Sequence, residues 1–235
     1  MNYLSNTEFY AGMPLYARGY AIPVQHTSNG LIKYGRNGRV YQKVIQELVA
    51  LKGELDAKVI IVYLNDKTDI VALKDGQPIM TSQGFADYDG IMSRTGCGAI
   101  DTSIVFQLFA AGNSSADIHR VLSKESGFKA LTGESLSLAE LIDSKDPRVN
   151  FALEIFSYQI LKTIGAACAL LEGLDTVVFT GDNCPILKKW TGNFISNLSF
   201  LGLQTAQDRD PNDPCLTMAG SKVYAYYINQ PSFSL

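Results

Sequence analysis

Apolar residues follow a helical period before the middle of the chain. Between the turn at Asn37 and Gly38 and the glycine at position 53, they recur every three or four positions, which predicts an amphipathic helix. The predicted buried face consists of Tyr41, Val44, Leu48 and Leu51.

A strand-like pattern follows this helix. Residues 58–64 and 68–74 are rich in β-branched side chains and flank a polar corner, so they predict a β-hairpin. The next pair, Asp75 and Gly76, tolerates positive φ and predicts a tight turn into a third antiparallel strand at residues 77–81.

The second half of the chain is mainly helical. Asn150 is predicted to cap a long helix that carries Leu153, Phe156, Ile160, Leu161 and Ile164 into the core. The other predicted elements are helices at residues 103–111, 115–123 and 185–200 and strands at residues 174–180 and 221–228. This order predicts an α/β fold with a mixed sheet, and the lack of a linker or repeat predicts a single domain over residues 1–235.

Composition narrows the functional classes. The chain has 235 residues, and its 20 Lys+Arg nearly balance 23 Asp+Glu, for a net charge of -3. No basic run stands out, so neither nucleic acid nor a membrane is expected as a partner. Polar residues interrupt the apolar stretch at residues 151–174, which favours a buried helix over a membrane span. Four separated cysteines and an N-terminus unlike a signal peptide predict a reduced, cytoplasmic protein.

Candidate chemistry is sparse. The phosphate-binding motifs G-x-x-x-x-G-K-[ST] and G-x-G-x-x-G are absent, and His26 and His119 lie outside any nucleophile motif, so we expect them to be solvated or structural. Residues 95–98, Thr-Gly-Cys-Gly, form a corner where backbone amides could bind an anion, although a tight turn is the simpler interpretation.

The most suggestive local feature is the corner at Gly181, Asp182 and Asn183. Here a predicted buried strand ends and a helix begins, which is where open α/β sheets bind ligands. The same residue types are also common in turns, so the residues alone leave both interpretations open.

Longer segments resemble one enzyme family. Residues 156–166, FSYQILKTIGA, and 173–180, GLDTVVFT, are similar to F-A-Y-R-I-x-K-Y-I-G-A and G-L-D-A-L-V-F-T of acetate kinases. Residues 81–85, TSQGF, resemble the family's T-S-M-G-F, and residues 34–35 resemble the start of its Y-G-F-H-G-T-S-H. Further matches at residues 13–14, 20–23, 90–105 and 126–128 extend the resemblance over roughly residues 5–229.

The resemblance implies a fold and a ligand. Acetate kinases belong to the superfamily of sugar kinases, heat-shock protein 70 and actin, in which two ribonuclease H-like domains enclose a nucleotide. The chain resembles only the second, so we expect helices on both faces of its sheet and half of the cleft. Gly181, Asp182 and Asn183 resemble the family's adenine-side loop, G-x-G-E-N-S-P, which implies weak binding of ATP or ADP with Mg²⁺ and no other cofactor.

The family's catalytic groups are replaced in this chain. In ungapped register its G-T-R-S-G-D arginine and aspartate fall on Gly96 and Ala99, and the histidines of H-G-T-S-H fall on Asn37 and Tyr41. The aspartate of F-D-T-A-F-H falls on Asn6. No catalytic residue and no metal ligand is therefore predicted.

The phosphate-binding segments are also altered. The family's H-L-G-N-G becomes residues 63–67, YLNDK, where glycines are lost and Asp66 would repel a phosphate. Its P-T-N-E-E becomes residues 229–232, NQPS. Arg94 lies two positions from the lost arginine. To act in its place, the Arg94 guanidinium would need a specific fork geometry toward the ligand.

Two functions follow from the resemblance and its departures. Because phosphoryl transfer depends on positioned cations, we expect a domain that has lost phosphotransferase activity and serves as a binding or structural module. The family dimerises through this domain, so a homodimer is expected. The alternative is an acetate or propionate kinase that works with a separately encoded N-terminal domain.

Overall fold

The β-branched runs form a five-stranded sheet. The computed structural model describes residues 8–182, 184–205, 210 and 213–229. β1 (Lys58–Leu64), β2 (Asp69–Lys74) and β3 (Gln77–Thr81) form the predicted antiparallel meander. β4 (Thr176–Gly181) and β5 (Tyr224–Asn229) extend it in parallel with β1, in the order β3-β2-β1-β4-β5. The mixed sheet is therefore confirmed.

The helices surround this sheet. They are α1 (Leu15–Arg18), α2 (Val24–Ser28), α3 (Gly38–Lys52), α4 (Thr102–Ala110), α5 (Ser115–Lys124), α6 (Gly127–Thr132), α7 (Leu138–Asp143), α8 (Pro147–Leu171) and α9 (Pro185–Phe194), which a 3-10 helix, Ile195–Leu201, continues. Four of these helices, α1, α2, α6 and α7, were not predicted from the sequence, because helices of four to six residues are too short to show a period.

Each face of the sheet has its own hydrophobic core. On one face, Phe156, Ile160 and Ile164 of α8 pack with inward residues of β1 and β4. On the other, Tyr41, Val44 and Leu48 of α3 pack with the alternate residues of the same strands. Helices on both faces are thus confirmed. No helix in the described ranges is long and apolar enough to cross a membrane.

Two details of the helix predictions were wrong. α8 begins at Pro147, and its cap is Asp146, whose Oδ1 accepts a hydrogen bond of 2.8 Å from the Arg148 amide; Asn150 lies inside the helix. A proline fits the first helical position because its φ is already helical, which moves the start upstream.

The buried face of α3 also ends differently. Leu51 is 51% exposed. The position four residues after Leu48 is Lys52, whose Nζ lies 5.5 Å and 5.8 Å from the ring centres of Tyr224 and Tyr226. The ammonium group of the lysine thus lies near two tyrosine rings at the end of the helix, as in a cation–π contact.

Candidate functional site

The carboxyl ends of the parallel strands meet at one edge of the sheet. Leu64 of β1 pairs with Gly181 of β4, and Gly181 pairs with Asn229 of β5. Open α/β sheets bind ligands at this edge. The predicted corner at Gly181 and Asp182 therefore lies where the fold favours a site. Its third residue, Asn183, lies outside the described residues.

Protein atoms close the corner around Gly181. A Cβ atom at this position would lie 2.6 Å from the Leu64 carbonyl oxygen and 3.1 Å from the Tyr227 hydroxyl. That hydroxyl donates a hydrogen bond of 2.9 Å to the Asp182 carbonyl oxygen. Burial, and then the nearby Cys184 and Asp182, raise the pKa of Tyr227, so the donor keeps its proton. Close packing is thus sufficient to explain the glycine.

The loop after β1 is held by its own side chain and by Arg94. Asn65 Oδ1 accepts a hydrogen bond of 2.7 Å from the Lys67 amide, as in an Asx turn. Arg94 Nη2 lies 2.6 Å from Asp66 Oδ2, and the Arg94 amide donates to the Asp66 carbonyl oxygen at 3.1 Å. Arg94 therefore reaches this edge of the sheet, but it is paired with a carboxylate there.

A buried carboxylate lies beside the same edge. Asp69, the first residue of β2, is fully buried. Its Oδ2 accepts hydrogen bonds from the Tyr41 hydroxyl at 2.7 Å and the Asn37 side-chain amide at 3.4 Å. Its Oδ1 accepts from the Ser82 hydroxyl at 2.7 Å and the Ile70 backbone amide at 2.8 Å. Four donors from three chain segments thus converge on one side chain.

The protonation states of this network follow from its burial. Burial raises the pKa of Asp69, and the hydrogen bonds from Tyr41, Ser82 and the Ile70 amide oppose that rise. Burial and the Asp69 charge raise the pKa of Tyr41 well above its usual value, and they do the same for the neighbouring Tyr10. Both tyrosines therefore remain hydroxyl donors.

Asp69 was not predicted as a functional residue, because residues 68–74 have the pattern of a single strand. The signal was a single carboxylate directly before four apolar residues, Ile70 to Leu73. A buried charge requires donors, and the spacing of the sequence does not show which segments supply them.

Comparison with known proteins identifies the family. The Acetokinase family profile matches residues 4–230, which is nearly the whole chain.

The chain belongs to the acetokinase family.

Its curated relatives are longer proteins. The acetate kinase of Rickettsia akari is 30% identical over 229 residues, which are 95% of this chain and 59% of the relative. The acetate kinase of Thermoanaerobacterium thermosaccharolyticum is 32% identical over 232 residues, which are 93% of this chain and 57% of the relative. The chain thus spans less than two thirds of these proteins.

Solved structures of the family have the same fold. A propionate kinase from Francisella tularensis superposes with a TM-score of 0.86 at 28% identity, covering 96% of this chain and 60% of that chain. The acetate kinase of Porphyromonas gingivalis gives the same TM-score at 24% identity and supports the fold alone. The actin-like ATPase fold expected from the resemblance is therefore confirmed.

The acetokinase catalytic positions have other contacts in this chain. Asn37 and Tyr41, which match the family histidines in the register above, both donate to Asp69. Gly96, which matches the arginine, and Ala99, which matches the aspartate, donate their amides to Ser93 Oγ at 2.8 Å and the Gly90 carbonyl oxygen at 2.9 Å. In the 95–98 corner, the amide of Cys97 also donates, to the Leu122 carbonyl oxygen at 2.9 Å, so the amides of Gly96 and Cys97 already have protein partners. The positions at Asn6 and residues 230–232 lie outside the described residues.

The described residues do not fit the nucleotide and magnesium that the acetokinase family implies. The loop matching the phosphate segment presents Asp66, and the adenine-side corner is closed at Gly181 by Tyr227. Within the described ranges, no group of three or more His, Cys, Asp and Glu residues could hold a metal ion. His26 and His119 are both exposed. We therefore assign no phosphoryl-transfer step to these residues.

Proposed function

We propose that the chain is an acetokinase-like domain without phosphotransferase activity that acts as a dimeric binding or structural module. The Asp69 network carries this proposal. Asn37 and Tyr41 occupy the histidine positions and are committed to a buried carboxylate. Side chains whose polar groups are paired with a buried carboxylate are not aimed at a phosphoryl group in transfer, and stabilising the charge on that group is the main catalytic requirement of the reaction.

An exposed apolar helix supports the dimeric part of the proposal. None of the residues of α4 is buried. Ile104, Phe106 and Phe109 on this helix are 46%, 68% and 47% exposed. Phe106 and Phe109 lie three positions apart and therefore share one face of the helix. Exposed apolar surface of this kind marks interaction sites, and self-association through a two-fold axis is the commonest way to cover it.

A coupled assay of ADP release tests the loss of activity. The protein is incubated with ATP, Mg²⁺ and acetate, propionate or another short carboxylate, beside a full-length acetate kinase as positive control. We expect no turnover above the rate without protein. Turnover that depends on the carboxylate would reverse the proposal, and Tyr41→Phe would then show whether this position contributes to it.

A second candidate is a carboxylate kinase assembled from two polypeptides. The observation that favours it is an exposed apolar segment at α1 and α2, where Leu15, Tyr16 and Val24 are 81%, 89% and 76% exposed. A partner domain would cover such a surface. The test mixes the chain with a polypeptide matching the remaining two fifths of its relatives. Restored turnover that Tyr16→Ser abolishes would support this candidate, and no turnover in the mixture would exclude it.

A further inference from the structure

A cavity lies beside β5, which is an edge strand of the sheet, and we call it the β5 cavity. α3, α9 and residues 213–214 line it together with the end of β5. Its volume is about 350 Å³. Pockets for small ligands begin at about 300 Å³, so the β5 cavity has room for a small metabolite.

One wall of the β5 cavity is apolar. Tyr227 and Ile228 line it from the strand and are both buried. Leu51 lines it from α3, and this is the leucine whose helical spacing predicted burial but whose side chain is exposed. Removing such apolar surface from water is favourable, so the cavity favours a ligand with an apolar group.

Hydrogen bonds hold the walls of the β5 cavity in place. The Tyr227 amide donates to the Pro214 carbonyl oxygen at 2.8 Å, which ties the segment around Pro214 to the strand. The Tyr227 hydroxyl donates to the Asp182 carbonyl oxygen at 2.9 Å. Asp213 Oδ1 accepts a hydrogen bond of 2.8 Å from the Cys215 amide. Because these groups are already held, a ligand would have to order few side chains.

The β5 cavity also presents charges of both signs. Glu47 and Asp213 supply carboxylates, and Lys188 supplies an ammonium group. Within the described part of the chain, none of these three side chains forms an ion pair. Lys188 Nζ instead lies 5.9 Å from the centre of the Tyr227 ring. The cavity therefore offers an anion partner and a cation partner beside its apolar wall.

We propose that the β5 cavity binds a free α-amino acid with an apolar side chain. Lys188 pairs with the carboxylate of the ligand, Glu47 and Asp213 pair with its ammonium group, and Leu51 and the Tyr227 ring contact its side chain. A ligand with a single charge would leave one sign of the cavity without a partner, whereas a zwitterion is complementary to both. The site goes beyond the proposed function, because binding there requires neither the loss of phosphotransferase activity nor a second copy of the chain.

Titrations with leucine and three analogues test the site. Leucine, N-acetyl-leucine, leucinamide and glycine are added separately at constant ionic strength, and binding is followed by calorimetry and NMR shifts. N-acetyl-leucine lacks the ammonium group, leucinamide lacks the carboxylate, and glycine lacks the apolar side chain. Because exposed ion pairs are weak, we expect leucine to bind with a dissociation constant of about 0.1–1 mM. Each analogue should bind about threefold more weakly or worse, because it loses one of the three contacts.

Matched variants locate the binding. Lys188→Met should weaken leucine binding by about two- to fivefold but should not weaken leucinamide binding, because leucinamide has no carboxylate. Glu47→Gln should weaken leucine binding by a similar factor but should not weaken that of N-acetyl-leucine, which has no ammonium group. Lys189→Met and Glu54→Gln are the controls, since both residues are exposed, carry the same charges and do not line the cavity. They should leave the affinity unchanged, and thermal unfolding of each variant checks that it is folded.

Three results would overturn the site: no saturable binding of leucine, equal losses in Lys188→Met and Lys189→Met, or equal affinity for leucine and leucinamide. The last result would mean that the cavity selects a simple amine and that Lys188 is not a contact. The ADP-release assay contains no amino acid, so failure of the amino acid site and failure of the proposed function are distinguishable.

Discussion

Asp69 is the buried hydrogen-bond partner of Asn37 and Tyr41, the residues at the positions that match the family histidines. Its carboxylate is fully buried and accepts hydrogen bonds from four donors. Asparagine at this position keeps the shape of the side chain. It replaces one acceptor oxygen with an NH₂ group, which would face hydrogen-bond donors. Asp69→Asn should lower the free energy of unfolding by about 2 kcal/mol, and Tyr41→Phe should lower it by about 1 kcal/mol.

Urea unfolding of both single variants and the double variant measures the coupling. Residues in one hydrogen-bond network are non-additive, so the double variant should lose less than the two single losses combined. Tyr158→Phe is the control, because Tyr158 is 66% exposed on α8. Additive losses would mean that Tyr41 and Asp69 do not stabilise each other.

The pH dependence of Asp69 follows from the direction of its pKa shift. Because burial raises its pKa above the usual value of 3.8, the folded protein holds this proton more tightly than the unfolded chain. The contribution of Asp69 to the free energy of unfolding is therefore fully present below the usual pKa, and it falls as the pH rises from the usual pKa through the raised pKa of the folded state. Wild type should gain stability relative to Asp69→Asn as the pH is lowered from about 7 to about 4. The opposite slope would show that the hydrogen bonds outweigh burial.

Gly181 allows a direct comparison of glycine positions. A methyl group there would meet the Leu64 carbonyl oxygen, whereas one at Gly165 in α8 would meet nothing within 4 Å. Gly181→Ala should lower the free energy of unfolding by about 1–3 kcal/mol because the strands must separate. Gly165→Ala should raise it by about 0.5–1 kcal/mol, since alanine favours the helix. Thermal unfolding checks both, and a neutral Gly181→Ala would refute the close packing.

At the scale of elements, the sequence predicted what periodicity encodes. The five strands and the longer helices repeat their apolar residues over enough positions to be recognised. The errors lie at the end of α3 and the start of α8, where side-chain contacts and a proline, rather than apolar periodicity, determine the structure. At the end of α3, Lys52 rather than Leu51 faces the protein, with its ammonium group near two tyrosine rings. Asp146 caps α8 because Pro147 already has a helical φ.

The start of α8 gives a paired test of capping. Asp146→Ala removes the acceptor of the Arg148 amide and should lower the free energy of unfolding by about 1 kcal/mol. Asn150→Ala changes an exposed position inside the helix and should be neutral or slightly stabilising, because alanine has the higher helix propensity. Urea unfolding measures both. Equal losses would place the functional cap further along the chain.

At the scale of the molecule, the sequence located the edge of the sheet but not its chemistry. Gly181 and Asp182 were identified because a buried strand ends there, which is a local feature. The closing contact of Tyr227 and the convergence on Asp69 come from distant segments. Such contacts between a strand and residues tens of positions away leave no periodic signal, so they required the structure.

The whole-molecule prediction concerns α4. Ile104, Phe106 and Phe109 of this helix stay largely exposed when the monomer folds, so the free energy of removing their apolar surface from water remains available for association. We expect light scattering after size exclusion to give the mass of a dimer. Phe106→Glu should shift it to a monomer, because a charge placed in an apolar interface is desolvated without a partner.

A matched change elsewhere separates the interface from a general effect of charge. Val24 in α2 is 76% exposed, comparable with the 68% of Phe106. Val24→Glu should therefore leave the dimer intact. If wild type is a monomer at high concentration, the dimer is excluded; if Val24→Glu alone dissociates it, the two copies meet through α1 and α2. In that case a first-domain polypeptide and the second copy would compete for one surface, and the dimer would inhibit assembly of a two-polypeptide kinase.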